Sequence, residues 1–145
     1  MVKPVVFLDT SIFIAALLSA KGGSFYILNN LGEKVDLQTN EYVLKEIEDV
    51  LQNKFSHKSD MRTQLFLLLG TADVNILPNR PKPEITEAKK YISEKDAPIL
   101  AAALANSDYL LTLDNEFFGE KIVEMAESKG LRILKPKGLI ELLRQ

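Results

Sequence analysis

The chain has 145 residues, 46% hydrophobic and 26% charged, with a formal net charge of −2. These values suit one globular domain over 1–145 and exclude intrinsic disorder. There is no cysteine and one histidine, His57, so disulfides, thiolate metal sites and cysteine nucleophiles are excluded, and any triad or zinc protease would have to be built around one imidazole. The balance of 18 Lys plus Arg against 20 Asp plus Glu argues against coating nucleic acid by bulk charge, but leaves local handling of it open.

In chain order, apolar and β-branched runs predict strands at 4–8, 35–37, 74–77, 109–113 and 131–134. Helical patterns fall at 11–20, 24–31, 40–55, 60–70, 85–92, 97–106, 117–129 and 137–143, with Gly22-Gly23 breaking the first two apart and Gly130 ending the seventh. The proline-rich segment 78–83 reads as a loop, and His57 falls in a polar loop between helices as a solvated side chain. Alternating strands and helices imply βαβ crossovers, hence a three-layer α/β/α sandwich around a central parallel sheet of about five strands. The apolar stretches 65–69 and 97–105 are shorter than the ~18 residues that span a bilayer, and the strand-like start is unlike a signal peptide. A cytoplasmic protein without a membrane segment is the expectation.

Open parallel sheets bind ligands beyond the carboxyl ends of their strands, and acids sit at those positions here. Asp9 follows the first strand and Asp114 follows Thr112-Leu113. Each also suits a helix N-cap, as does Ser11. Asp96 precedes an Ala-rich helix that is apolar all round and bears Pro98 in its first turn. Capping accounts for that position, but a charge at the mouth of a buried helix also needs a partner, and a metal ion is one. Glu46 lies at the edge of the apolar stripe of Val43, Ile47, Val50 and Leu51, where it either faces solvent or points toward the strand tips.

Asp9-Thr10-Ser11, Glu46 within Val43-Leu44-Lys45-Glu46-Ile47, Asp96 opening an Ala-rich helix and Thr112-Leu113-Asp114 together resemble the PIN-domain ribonucleases, especially the VapC-like toxins of type II toxin–antitoxin pairs. The likeness runs from residue 5 to about residue 143. It implies Asp9, Glu46, Asp96 and Asp114 as catalytic and metal-binding acids, with Glu116 as an auxiliary acid. It also implies an RNA substrate cut to 5′-phosphate and 3′-hydroxyl ends, a cognate antitoxin partner and a homodimer. Carboxylate clusters select hard, oxygen-seeking cations, here Mg²⁺ or Mn²⁺, which activate water for in-line attack on phosphorus.

Around that core, Ser11 is a candidate for holding water or a phosphate oxygen at the helix N-terminus, and Thr112 for orienting Asp114. Lys54, Lys58, Arg62, Arg80, Lys82, Lys89, Lys90 and Lys95 are candidate backbone contacts, and Tyr42 and Phe118 candidate stacking aromatics. The run 66–69 is wider than one helical stripe and suits an interface as well as a core. Setting the four acids aside leaves 16 against 18 basic residues, a remainder of +2. Two other readings stay open: a non-catalytic interaction module on the same fold, and another metal-dependent phosphohydrolase such as an RNA-processing or DNA nuclease. The absence of G-x-G-x-x-G or a P-loop after Leu8 disfavours a nucleotide-binding protein.

Overall fold

The computed structural model describes residues 2–55 and 60–144; His57 and Lys58 lie outside the described residues. The chain runs β1 (Val5–Leu8), α1 (Thr10–Leu18), α2 (Gly23–Asn30), β2 (Asp36–Asn40), α3 (Glu41–Lys54), α4 (Asp60–Thr71), β3 (Asn75–Leu77), α5 (Lys82–Ala88), α6 (Ala97–Asn106), β4 (Tyr109–Leu111), a 3₁₀ helix (Asn115–Phe118), α7 (Glu120–Ser128), β5 (Arg132–Leu134) and α8 (Pro136–Leu143). The strands form one five-stranded sheet in the order β3-β2-β1-β4-β5, every pair parallel. Helices flank this sheet, as the alternation of strand and helix patterns predicts.

β1 is central because Val6, Phe7 and Leu8 are fully buried, the environment a strand covered on both faces requires. α6 packs on β1 and β4, and its Ile99, Leu100 and Ala103 are likewise fully buried. The chain steps outward from β1 through β2 to β3, then returns to the other side of β1 with β4. The strand order therefore reverses between β1 and β4, and a crevice opens at their carboxyl ends. Among the described residues no single helix is long and apolar enough to cross a membrane.

Most boundaries shift by one to four residues from the sequence-based expectation, the helix expected at 85–92 running 82–88 as α5, and several of the larger departures have a local reason. β2 extends through Gln38, Thr39 and Asn40, which are buried although polar; each finds a partner, Asn40 through its oxygen alone, its Nδ2 being left unpaired among the described residues. Gln38 donates to the Asn106 carbonyl at 3.2 Å and to Ser107 Oγ at 2.7 Å, and Thr39 donates to the Leu8 carbonyl at 3.0 Å. Asn40 Oδ1 accepts from Val43 N at 3.0 Å and so caps α3 rather than belonging to it. β4 stops at Leu111, two residues before the predicted end. The segment read as a proline-rich loop contains the start of α5, with Pro83 in its first turn, where a missing N–H is harmless. The helix expected at 117–129 is split: Asp114 caps a 3₁₀ turn, and Gly119, in extended conformation, starts α7 anew. Gly130 adopts φ +86°, the left-handed conformation expected of a residue that ends a helix.

Candidate active site

Asp9 emerges directly from β1 and is 4% exposed. Its Oδ1 accepts the Thr10 N–H at 2.7 Å, so it does cap α1. Its Oδ2 accepts two hydroxyls, Ser11 Oγ at 2.8 Å and Thr112 Oγ1 at 2.6 Å. The capping and site readings of Asp9 are thus compatible, one oxygen serving each. Burial pushes the Asp9 carboxyl above the usual carboxylate range; the bonds from Thr112, Ser11 and Thr10 oppose this, and the Asp114 charge adds to it. A buried carboxylate held by three donors has a fixed orientation.

The same two hydroxyls fasten the β4 side of the crevice. Ser11 Oγ accepts from Leu113 N and Thr112 Oγ1 from Asp114 N, each at 3.0 Å. Thr112, expected to orient Asp114, therefore reaches its backbone rather than its carboxylate and spends its proton on Asp9. Ser11, considered for a water or phosphate, instead ties Asp9 to the Leu113 backbone. Together they lock the loop after β4 against the tip of β1.

Asp114 Oδ1 accepts from Glu116 N at 3.0 Å, so this residue also both caps and faces the crevice. Asp96 differs: it occupies the N-cap position of α6 but makes no capping bond with its side chain. Its carboxylate accepts a long contact from Ser93 Oγ, 3.4 Å. Carboxylate oxygens of Asp96, Asp114 and Glu116 lie within 4.8 Å of one another. Crowding shows in the proton affinities. Burial, then the Asp114 charge and a hydrogen bond shared with Glu116, push the Asp96 carboxyl up to about 7. Glu116 is held below its ordinary range, chiefly by the Ser93 N–H, which it accepts at 2.8 Å.

Glu46 is half-buried on α3, and its Oε1 accepts the Thr10 hydroxyl at 2.6 Å. Burial raises its carboxyl, against the opposing pull of Thr10 and Lys95. The side chain thus turns toward the strand tips, not to solvent. Asp9, Glu46, Asp96 and Asp114 all line one open cleft of about 520 Å³, together with Lys54 and Lys95. Glu116 stands exposed beside it.

Other candidates are committed elsewhere. Arg62 pairs with Glu48 at 3.5 Å, Arg80 with Glu84 at 2.8 Å, Lys89 with Glu94 at 3.6 Å and Lys90 with Glu87 at 2.8 Å. Lys82 is exposed on α5 and does not line the cleft. Tyr42 donates its hydroxyl to the Lys95 carbonyl at 2.5 Å, which fastens α3 to the segment before Asp96, and burial with the neighbouring Glu46 and Asp96 charges raises it to about 12. Phe118 lies under Lys135, whose Nζ is 5.3 Å from the ring centroid.

Thr10 and Ser93 escaped the sequence reading. Thr10 sits between two singled-out residues, so its position was visible, but its bond to Glu46 spans 36 residues. Ser93 carries no sequence signal at all.

The acids suit a divalent cation in kind and arrangement. All donors are carboxylate oxygens, and those of Asp96, Asp114 and Glu116 lie close enough together to share one hard, oxygen-seeking ion.

The fold has solved counterparts. A chain of the crystal structure of VapBC2 from Rickettsia felis, bound to a DNA fragment from their promoter, matches with a TM-score of 0.69 at 19% identity, over 90% of this chain and 98% of that one. PAE2754 from Pyrobaculum aerophilum matches with a TM-score of 0.67 at 18% identity, over 98% and 91% respectively. At such identities the likeness is one of fold. No curated protein matches the chain. The sequence profile described as PIN domain matches residues 5–116, a stretch that begins with β1, takes in Asp9, Glu46, Asp96 and Asp114, and ends at Glu116. The chain belongs to the PIN-domain family.

Proposed function

We propose that this protein is a Mg²⁺- or Mn²⁺-dependent endoribonuclease and the toxin component of a toxin–antitoxin pair. Family membership supports hydrolysis of nucleic acid. The observation that carries the reading is the convergence of Asp9, Glu46, Asp96 and Asp114 on one cleft, with Asp96 pushed up to about 7 by burial and by the Asp114 charge.

Asp9, Asp96 and Asp114 would hold the ion, with Glu46 and Glu116 assisting. When bound, the ion supplies Lewis-acid polarisation of the phosphate and neutralises charge that develops during hydrolysis. Asp9 contributes a carboxylate whose direction Ser11 and Thr112 fix, so little reorganisation is needed as the reaction proceeds. Glu46, bonded at Oε1, keeps Oε2 to accept a proton from the attacking water. Lys54 and Lys95, on the cleft wall, attract the phosphate backbone. Water adds across the P–O3′ bond, giving a 5′-phosphate and a 3′-hydroxyl. Single-stranded or loop RNA is the favoured substrate.

The fold likeness to VapBC2, solved bound to a DNA fragment from their promoter, supports a cognate antitoxin here. The exposed Phe66 and Leu67, at 58% and 63%, support a homodimer. Cleavage of single-stranded RNA with Mg²⁺ or Mn²⁺, lost in EDTA, tests the activity. Equal cleavage in EDTA overturns the metal requirement. Failure of the wild type to cut any cellular RNA with either ion overturns the nuclease reading in favour of an interaction module.

A further inference from the structure

A second groove of about 550 Å³ lies beside the acidic cleft, between α1, α2, the loop after β4 and α8. Ala15 lines both, and Leu113 in the second groove is followed in sequence by Asp114 in the first. The grooves therefore adjoin at α1 and at the loop after β4, but are opposite in charge. Lys135, Lys137 and Arg144 line the second groove against one acid, Glu141. No ion pair engages these cations among the described residues. Lys135 alone is tethered, donating to Asn115 Oδ1 at 3.2 Å.

Ser24 lines the groove floor and is 4% exposed, and its hydroxyl makes no hydrogen bond among the described residues, which leaves it free to meet a ligand in the groove. Ser24 sits in the first turn of α2, whose N-cap Gly22 makes no side-chain bond, as Lys135 makes none for α8. The two helix starts meet closely: a Cβ on Gly23 would come within 3.2 Å of Pro136 Cβ. Two N-termini without side-chain caps, a hydroxyl with no protein partner and three cations share one concave surface, a combination that suits a phosphodiester. Leu113, 41% exposed, and Ile140 supply apolar wall for a sugar or base.

We infer that this groove binds a phosphate of the RNA strand next to the one cleaved, with Lys137, Arg144 and Ser24 as its contacts. The inference rests on the nuclease reading above and names where the strand leaves the cleft. A single strand crossing the acids would pass from the Lys54 and Lys95 wall to the Lys137 and Arg144 wall, with cations on either side of the metal-binding patch.

Binding is measured on the full chain in EDTA, by fluorescence anisotropy of a labelled uridylate oligomer of about 12 nucleotides, over about 50–200 mM salt. The Lys137→Ala/Arg144→Ala double variant is expected to bind about tenfold more weakly, with a salt slope shallower by up to about 0.7 per lost contact. Ser24→Ala is expected to lose about threefold. Lys34→Ala/Lys129→Ala, which removes cations ahead of β2 and β5 at the other edge of the sheet, is expected to change neither quantity. An unchanged affinity and slope in the double variant overturns the proposal, as does equal competition by polyglutamate at matched charge. Wild-type protein that binds the oligomer through these residues but cleaves no RNA with added ion sinks the nuclease reading and leaves the groove standing. Cleavage with unaltered binding in the double variant sinks the groove alone.

Discussion

Carboxylates around α5 and those at the carboxyl edge of the sheet live in opposite electrostatic situations. Glu84, Glu87 and Glu94 each hold a basic side chain within 3.6 Å at the surface. Asp9, Glu46 and Asp96 enter no ion pair among the described residues, are largely or half buried, and all have raised proton affinity. Surface pairs of the first kind contribute ~0–1 kcal/mol each and are screened by salt. The second arrangement stores unneutralised charge, which costs stability unless an ion or a proton relieves it. Such an arrangement suits a cation, and the contrast separates charges paired at the surface from those gathered in the cleft.

The largest expected effect comes from removing a cluster charge. Asp9→Asn and Asp114→Asn are each expected to reduce metal-dependent RNA cleavage by more than ~100-fold, beyond the 10–100-fold typical of residues that only support a ligand. Circular dichroism should show the fold intact. Retained activity in both variants would make the acids mere caps and erase the distinction drawn above.

Next comes the response to pH and metal. Asp96 titrates near 7 in the folded protein against an ordinary 3.8, so the folded state binds more protons than the unfolded chain across that interval. The associated stability is fully present below about pH 3.8 and is lost as pH rises toward 7. Asp9 and Glu46, also raised, act in the same direction, while Glu116, lowered, opposes them. Thermal melts in EDTA should therefore lose stability over this interval beyond what titration elsewhere in the chain produces. Asp96→Asn should remove part of that slope. Added Mg²⁺ or Mn²⁺ should raise the melting temperature at pH 7 and not at pH 4; an ion-independent melt at both would show that the cluster does not hold a cation.

Removing a support of Asp9 comes third. Thr112→Val keeps the β-branched shape but deletes the donor held at 2.6 Å, with an expected cost of about 1.5–3 kcal/mol by chemical denaturation and a 10–100-fold loss of cleavage. The smallest effect is expected at the surface: Arg80→Ala breaks its paired contact with Glu84, costs under ~1 kcal/mol and leaves cleavage unchanged.

Much of this was legible in the sequence because buried parallel strands leave a strong local mark. Val5–Leu8 and the Ala-rich α6 are apolar on every side, and the acids next to them stand out by contrast. β2 was harder: Gln38 and Thr39 look like loop residues and Asn40 like the first residue of the next helix, and only partners 68, 31 and 3 positions away make them a strand end. The capping propensities of Asp9, Asp96 and Asp114 were equally plain, yet their side chains divide, with Asp9 and Asp114 capping and Asp96 not. Propensity reports what a residue can do next to its neighbours, and cannot tell which oxygen is left over.

The sequence by itself determined the layered α/β architecture and the positions of four acids, because hydrophobic period and strand-end placement are properties of short segments. Only the tertiary structure decided that these acids meet. Asp9 and Thr112 are 103 residues apart and bonded at 2.6 Å, a contact made by the parallel pairing of β1 with β4. The same holds for charge. A count of −2 averages over an acidic cleft and a basic groove that the fold sets side by side, since net charge adds charges without regard to distance and a binding site depends on distance above all.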